Sequence, residues 1–327
     1  MNKKLLDLLA CPGCKSTMLC QTEMKNKSDE IIIGSLECRT CSRSYPISNG
    51  IPRFISSNNY AQSFAYQWDK FQSVQIDSLN HTKFSEKRFY SETGWTDDWI
   101  QGKWILDAGC GAGRFIDVVS RIQCEIIGVD ISTSVDAVRK RFGDQPNVHL
   151  VQASIYALPF KTGVFDGCYC IGVIQHTPDP EKALASLPAM LKKGGKIAIT
   201  VYERKPWTFL FSKYLVRPFT IRLHKKLLLF FIQLLMPLLF LITEVLFRIP
   251  FLGRFFRFAI PVANYVNVPK LPLRLRYQWA ILDTFDMLSP RYDKPLTQHE
   301  AEKSLIGISP IGRLGNPGLN LAGIKQL

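Results

Sequence analysis

The sequence is short of acid. Against 41 Lys and Arg stand 27 Asp and Glu, giving a net charge of +14 and a pI near 9.4. Such a basic chain calls for an anionic neighbour: nucleic acid, an anionic membrane surface or a phosphorylated substrate. Cysteine is sparse as well, with nine in 327 residues, four in two close pairs and five scattered. That pattern excludes a disulfide framework and fits a reducing compartment with a metal site. No secretory leader is read at the start, where Asp7 interrupts a short apolar stretch that runs straight into Cys11. The expected location is therefore cytosolic. A hydrophobic content of 46% with 21% charged residues is not that of a disordered chain, and the length suits one large domain with appendages or two domains.

What is present begins with Cys11-Pro12-Gly13-Cys14 and Cys38-Arg39-Thr40-Cys41, two C-x2-C pairs with 23 residues between them. Two thiolates two residues apart on a tight turn can face one ion, and a second such turn completes a tetrahedral shell suited to zinc. Pro12 and Gly13 supply the turn chemistry. Ile31-Ile32-Ile33 and Tyr45-Pro46-Ile47 read as short strands, so a zinc ribbon is expected with Cys11, Cys14, Cys38 and Cys41 around a structural zinc. A full shell of thiolates leaves no open position for catalysis. Cys20 falls outside the pattern. Through Leu8-Leu9-Ala10-Cys11-Pro12, the second pair and Tyr45-Pro46-Ile47-Ser48-Asn49-Gly50-Ile51-Pro52, the first sixty residues resemble small zinc-ribbon proteins that partner or activate methyltransferases.

From Trp104 onward strand and helix signals alternate. Trp104–Asp107, Ile126–Asp130, Val148–Val151, Phe165–Ile171 and Lys196–Tyr202 read as strands, with helices at Phe115–Val119 and Ser134–Phe142. Alternation of this kind implies a doubly wound parallel α/β sheet with ligands at the strand ends. The first strand leads into Asp107-Ala108-Gly109-Cys110-Gly111-Ala112-Gly113. A dinucleotide fingerprint would need glycine at 114, where Arg114 stands, so the turn favours a cofactor without a pyrophosphate. Asp130 closes the second strand, where a carboxylate can accept two hydrogen bonds from a ribose diol.

These motifs, with Gln152-Ala153-Ser154-Ile155-Tyr156-Ala157-Leu158-Pro159-Phe160, Phe165-Asp166 and Gly172-Val173-Ile174-Gln175-His176-Thr177-Pro178-Asp179-Pro180, resemble the class I methyltransferases, a group that includes quinone-biosynthesis enzymes. The resemblance implies a seven-stranded Rossmann-like sheet and S-adenosylmethionine as cofactor. Asp107, Gly109, Gly111 and Gly113 would hold its methionine part, Asp130 with Ile131 the ribose, and Ser154 with Ile155 the adenine. The family's usual aspartate is replaced by Ser154, a weaker acceptor. His176 stands where it can act as a general base or simply line the pocket.

A final feature is the apolar run Leu227–Thr243, flanked by His224-Lys225-Lys226 and Arg248. Seventeen residues span about 25 Å, short of the roughly 30 Å hydrocarbon core; adding Val245-Leu246-Phe247 makes the length marginal, and Pro237 would kink the run. Five strands precede this insert and two are expected after it, around Gly307–Leu314 and Gly318–Lys325. Because paired strands lie on one side of a membrane, an odd number of crossings is excluded. A re-entrant hairpin, a surface-lying helix pair and a soluble cap remain. Ten of the basic residues lie between Glu203 and Arg257, against two acids, which suits an anionic leaflet. The expected organisation is a ribbon at 1–57, a cofactor domain at 58–205, the apolar insert at 206–261, and a C-terminal part of the cofactor domain at 262–327. Methyl transfer to a small-molecule or lipid-linked acceptor at the cytoplasmic membrane face is the expected function. The alternative is an RNA methyltransferase whose ribbon binds RNA.

Overall fold

The computed structural model describes residues 1–55, 60, 62–266, 268, 271–315 and 318–326, with the side chains at 62–65, 68, 69 and 72 left out. The chain forms two compact units. One comprises Met1–Asn59, Thr82–Glu203 and Tyr292–Leu327, and the other comprises Tyr60–His81 and Arg204–Arg291.

The first unit opens with helix α1 (Lys3–Leu8), N-capped by the Asn2 side chain, and an antiparallel sheet β1 (Met18–Lys25), β2 (Ile31–Cys38), β3 (Ser44–Ser48) and β4 (Ile51–Pro52). The strands expected at Ile31 and Tyr45 are β2 and β3. β1 carries a run of mostly exposed polar residues and gave no alternation to read. The ribbon does not keep a core to itself. Leu5, Leu9, Leu36 and Ile47 belong to one buried cluster with Val151, Leu158 and Phe160. Backbone bonds fasten it further, from Ala10 N to Pro159 O (2.9 Å), Lys161 N to Leu8 O (2.9 Å) and Phe54 N to Gln152 O (2.8 Å).

The large sheet contains β5 (Trp104–Ala108), β6 (Glu125–Asp130), β7 (Val148–Gln152), β8 (Phe165–Ile171), β9 (Leu191–Val201), β10 (Ile308–Arg313) and β11 (Leu319–Lys325). Their order is β10-β11-β9-β8-β5-β6-β7, with the first five in sequence parallel and β11 and β10 antiparallel. Helices α2 (Phe84–Thr93), α3 (Ile116–Val119), α4 (Ser134–Phe142) and α5 (Pro180–Ala185) belong to this unit. Successive strands run outward from β5 in both directions, so the topological switch point lies between β5 and β8, where such sheets bind ligands. This is the expected doubly wound sheet of seven strands. Only β9 differs noticeably, because it begins at Leu191 and so includes a hydrophilic stretch, Lys192-Lys193-Gly194-Gly195, that reads as a turn.

The second unit is helical. It contains the helix Gln62–Gln75, kinked at Phe71, then α6 (Ser212–Thr220), α7 (Lys225–Leu246), α8 (Leu252–Ala259) and α9 (Leu273–Leu288). The first of these helices carries the sequence Phe64-Ala65-Tyr66-Gln67-Trp68, in which the side chains of Phe64, Ala65 and Trp68 are outside the described residues. The helix is longer than the apolar run Leu227–Thr243. α7 has 22 residues and continues through Pro237, because the extra turns at Lys225-Lys226 and Glu244–Leu246 are helical too. It packs against α9, whose C-terminal carbonyls are capped by side chains. Arg217 donates to Met287 O (2.8 Å) and Pro290 O (2.9 Å), Thr220 to Leu288 O (2.9 Å) and Lys225 to Ser289 O (2.6 Å).

Candidate functional site

The glycine turn follows β5 at the switch point. Gly109 has φ +95 and Gly113 φ +85, values that favour glycine. Space demands it as well. A Cβ on Gly109 would sit 2.5 Å from Val173, and one on Gly113 would sit 3.1 Å from both Val138 and Phe142 of α4. The first contact brings the turn after β8, which carries His176, against the glycine turn.

Two carboxylates close the neighbouring strands. Asp130, at the end of β6, accepts from Gly111 N (2.9 Å) through Oδ2, and from Ser132 N (2.8 Å) and Ser132 Oγ (2.6 Å) through Oδ1. Its burial raises the carboxyl above the usual range. Asp107 is also buried, and its Oδ2 has no hydrogen-bond partner. Burial pushes its carboxyl up to about 8; the Tyr169 hydroxyl opposes the shift and the Asp130 charge adds to it. An orphaned buried carboxylate is costly, and a cationic group delivered by a ligand would satisfy it.

β6 and β7 end side by side, held by Ala153 N to Asp130 O (3.0 Å) and by Gln152 Nε2 to Ile131 O (3.2 Å). Asp130, Ile131, Ser154 and Ile155 are therefore neighbours. Ser154 starts a 3-10 turn and accepts from Tyr156 N (3.3 Å), while Ile155 is buried. His176 is buried in the 3-10 turn after β8, its ring edge-on to Tyr202 and its Nδ1 3.1 Å from Tyr292 O. A carbonyl can only accept, so a hydrogen bond here needs the proton on Nδ1.

Some polar groups at this end were missed in the sequence. Arg53 of the ribbon reaches Asp136 of α4 (2.6 Å) and Gln152 Oε1 (2.8 Å), tying the ribbon to the loops around Ile131. Arg88 and Glu92 on α2 form an ion pair (2.7 Å), with Glu92 Oε2 buried and without a hydrogen-bond partner. Arg53 follows the last ribbon strand and Glu92 sits one turn from Arg88 on an ordinary helix, so neither position carries a motif. Arg276 of α9 is paired with Glu244 and lies over the Phe240 ring.

The four ribbon cysteines converge. Their sulfurs all lie within 4.8 Å of one another, with Cys11 to Cys41 at 3.5 Å and Cys14 to Cys38 at 3.4 Å. Four thiolates at the zinc–sulfur distance of about 2.3 Å form a tetrahedron with edges of roughly 3.8 Å, so the spacing fits. The two knuckles repeat one another. Cys11 N donates to Ser16 O and Lys15 N to Cys11 O, while Cys38 N donates to Arg43 O and Ser42 N to Cys38 O. Burial opposes ionisation of Cys11, yet backbone hydrogen bonds from Cys14 and Gly13 and the Tyr45 hydroxyl hold its thiol at about 6. Cys20 sits apart on β1, partly exposed.

A mixed sheet of this order, five strands parallel and two antiparallel, with a glycine turn at its switch point and a closing acid on the next strand, has the class I methyltransferase fold. Comparison with known proteins agrees. Residues 106–199 match the family described as a methyltransferase domain, and residues 2–50 match that described as Trm112p-like protein. The chain is thus similar to methyltransferase domains over 106–199 and to Trm112p-like proteins over 2–50. It is 38% identical over 104 residues to an uncharacterized protein of Synechococcus sp., covering 30% of this chain and 25% of that one. It is 29% identical over 115 residues to the ubiquinone biosynthesis O-methyltransferase of Coxiella burnetii, covering 35% and 49%. The chain thus spans a quarter to about half of these curated relatives. Among solved structures it resembles a complex containing the Haloferax volcanii Trm112 methyltransferase activator, with a TM-score of 0.37 and 17% identity over 46% of this chain and 63% of that chain.

Proposed function

We propose that the protein transfers a methyl group from S-adenosylmethionine to a small-molecule acceptor, lipid-linked and met at the cytoplasmic face of an anionic membrane. The observation that carries the reading is the buried Asp107 carboxylate with its orphaned oxygen, at the strand end next to the half-buried Asp130 and beside the glycine turn at the switch point. The cofactor supplies an electrophilic methyl on a sulfonium. Asp107 would receive its ammonium group, Gly109, Gly111 and Gly113 would admit its methionine part, and Asp130 with Ile131 would hold the ribose diol. Ser154, whose oxygen already accepts from Tyr156 N, would give the adenine amino group a weak contact, with Ile155 packing beside it. His176, its ring held near Tyr292 O, would take a proton from the acceptor. The cysteine tetrad would hold one structural zinc that maintains the ribbon.

A small-molecule acceptor agrees with the names of the ubiquinone biosynthesis O-methyltransferase relatives. The membrane face agrees with the basic, outwardly apolar helices of the second unit and makes the enzyme a peripheral one. A second reading, RNA methylation, is favoured by the Trm112p-like match and the +14 charge. Against it, residues 1–60 carry eight Lys and Arg and five Asp and Glu, a modest excess. Incubating the protein with radiolabelled cofactor and, separately, membrane extract and total RNA tests the choice. Label in extractable lipid is the expected result, while label in RNA alone would replace the reading. In the same assay His176→Ala should be slower by about 10²-fold, and an unchanged rate would leave His176 a lining residue.

A further inference from the structure

In a water-soluble helix the outward face is polar. On α7 it is not. Leu228, Leu229, Ile232, Met236 and Phe240 are buried against the protein, yet Leu227, Phe230, Phe231, Leu234, Leu235, Leu238, Leu241 and Val245 are exposed, several by more than 60%. Gln233 and Lys226 are the polar residues exposed along it. The apolar surface continues onto α6 through Leu215 and Phe219 and onto α8 through Leu252 and Phe255. Charge edges it. Arg222, Lys226, Arg248, Arg254 and Arg257 are all exposed around these helices.

Length alone would let α7 cross a bilayer, since 22 residues rise about 33 Å. Its packing argues otherwise. α9 is bound to it at both ends, through Lys225 Nζ to Ser289 O at the start and Glu244 to Arg276 at the finish, so the two helices run antiparallel over most of their length. A crossing α7 would carry Arg276, Asp283 and Asp286 of α9 into hydrocarbon, where charged side chains are expensive. Lying flat, it leaves them on the aqueous side.

The corner between α7 and α8 adds a second feature. Phe251 has φ +62 and ψ −49, and Leu252 N donates to Pro250 O (2.6 Å), a strained three-residue turn that leaves the Phe251 ring 89% exposed. The turn sits in an open surface depression lined by Phe247, Arg248, Pro250, Phe251, Arg254 and Arg257. Arg248 is shared with Glu244, and Arg257 donates to Phe247 O (3.1 Å), so three guanidinium groups face this corner with one carboxylate among them.

We infer that α7 and α8 form a foot that lies in one leaflet of an anionic membrane, with the outer face of α7 among the acyl chains, and that the corner ringed by Arg248, Arg254 and Arg257 binds the phosphate of an acidic phospholipid. The inference rests on the membrane reading above and deepens it by fixing the pose and the lipid contact.

The test uses the full-length protein and vesicles of phosphatidylcholine with or without phosphatidylglycerol. The expected result is sedimentation with the anionic vesicles and little with the neutral ones. Replacing Arg248, Arg254 and Arg257 together by Gln should weaken anionic-vesicle binding on the order of 10²-fold. Replacing the exposed Lys87, Lys182 and Lys193 of the first unit by Gln should weaken it much less, and an equal loss in both triples would overturn the phosphate corner. So would displacement from the vesicles by inorganic phosphate at constant ionic strength, which would make the corner a site for the free anion. An environment-sensitive dye incorporated in turn at 227, 234, 241 and 245, and quenched by lipids brominated at different depths, should report one shallow depth throughout. Depths graded from one leaflet to the other would make α7 a spanning helix and overturn the flat pose. If no variant and no wild-type protein binds any vesicle, the membrane reading itself fails, an outcome distinct from either.

Discussion

The strand ends of the first unit and the outer face of α7 in the second solve opposite problems. At the strand ends most polar groups already have a protein partner. Asp130 accepts from Gly111 and Ser132, Gln152 bridges Arg53 and Ile131, and Asp107 is left with one orphaned oxygen. Along α7, Leu234, Leu238, Leu241 and Val245 are each more than 60% exposed and meet no protein partner that would cover them. In the first region the protein satisfies most of its own polar groups and leaves one carboxylate oxygen without a partner. The second is a surface that water leaves unsatisfied along its whole length. Ligand binding to the first should therefore depend on a few named groups, while binding to the second should depend on area and on charge at its edge.

The sharpest way to break this contrast is to remove what keeps the first region built. Structural zinc contributes on the order of 10 kcal/mol, comparable with the whole stability of a typical domain. Because Leu5, Leu9 and Leu36 share one core with Val151 and Phe160, the loss should not stay in the ribbon. A strong chelator, or Cys38→Ser, is expected to lower the melting temperature of the entire first unit, with about one zinc per chain released and counted by elemental analysis. An unchanged melting curve in the metal-free protein would mean the ribbon is self-supporting and the strand ends do not depend on it.

The orphaned Asp107 gives the next largest effect. Its carboxyl sits at about 8 in the folded chain against 3.8 as a free side chain. Between those values the folded state binds the extra proton, so stability falls as pH rises from about 4 to about 8 and then levels off. Asp107→Asn removes that dependence. It should stabilise the apoprotein by several kcal/mol at pH 8.5, and by much less at pH 4.5, in urea titrations. Cofactor affinity should run the other way. In the wild type it rises through pH 8 as the carboxylate forms, and in the variant it is weak throughout. A pH-independent gap between the two stabilities would mean that Asp107 is not the buried acid described.

These particular residues show how far the sequence could be read. The strand segments of the large sheet, the glycine turn, Asp130 and the cysteine tetrad follow from local patterns, because each is a short segment whose residue types and spacing are set by its own geometry. Arg53 was not legible. Its importance lies in reaching 83 residues along the chain to Asp136 and 99 to Gln152, and no local spacing encodes such a contact. The bounds of α7 were left open for a related reason. Charged ends and Pro237 argue against helix in isolation, but packing on α9 and the contacts of Lys225 and Glu244 continue it to 22 residues. The sequence marked the run as apolar. That its outer half is exposed depends on which residues α9 covers.

The smallest effect separates the two faces of α7 themselves. Met236 is fully buried, so Met236→Ala should cost about 2–5 kcal/mol in urea unfolding through lost contacts and a residual cavity. Leu238, two residues on and 62% exposed, has little packing to lose, and Leu238→Ala should change stability by no more than about 0.5 kcal/mol. On anionic vesicles the ranking should reverse. The Leu238 side chain would leave water for the acyl chains at about 0.8 kcal/mol per methylene, so its truncation should weaken binding by about tenfold or more. Met236, facing the protein in either state, should affect binding only as far as it loosens the helix, and measuring under conditions where both variants stay folded removes that contribution. If Leu238→Ala leaves vesicle binding intact, the exposed face is not what the membrane meets, and its leucines need another occupant.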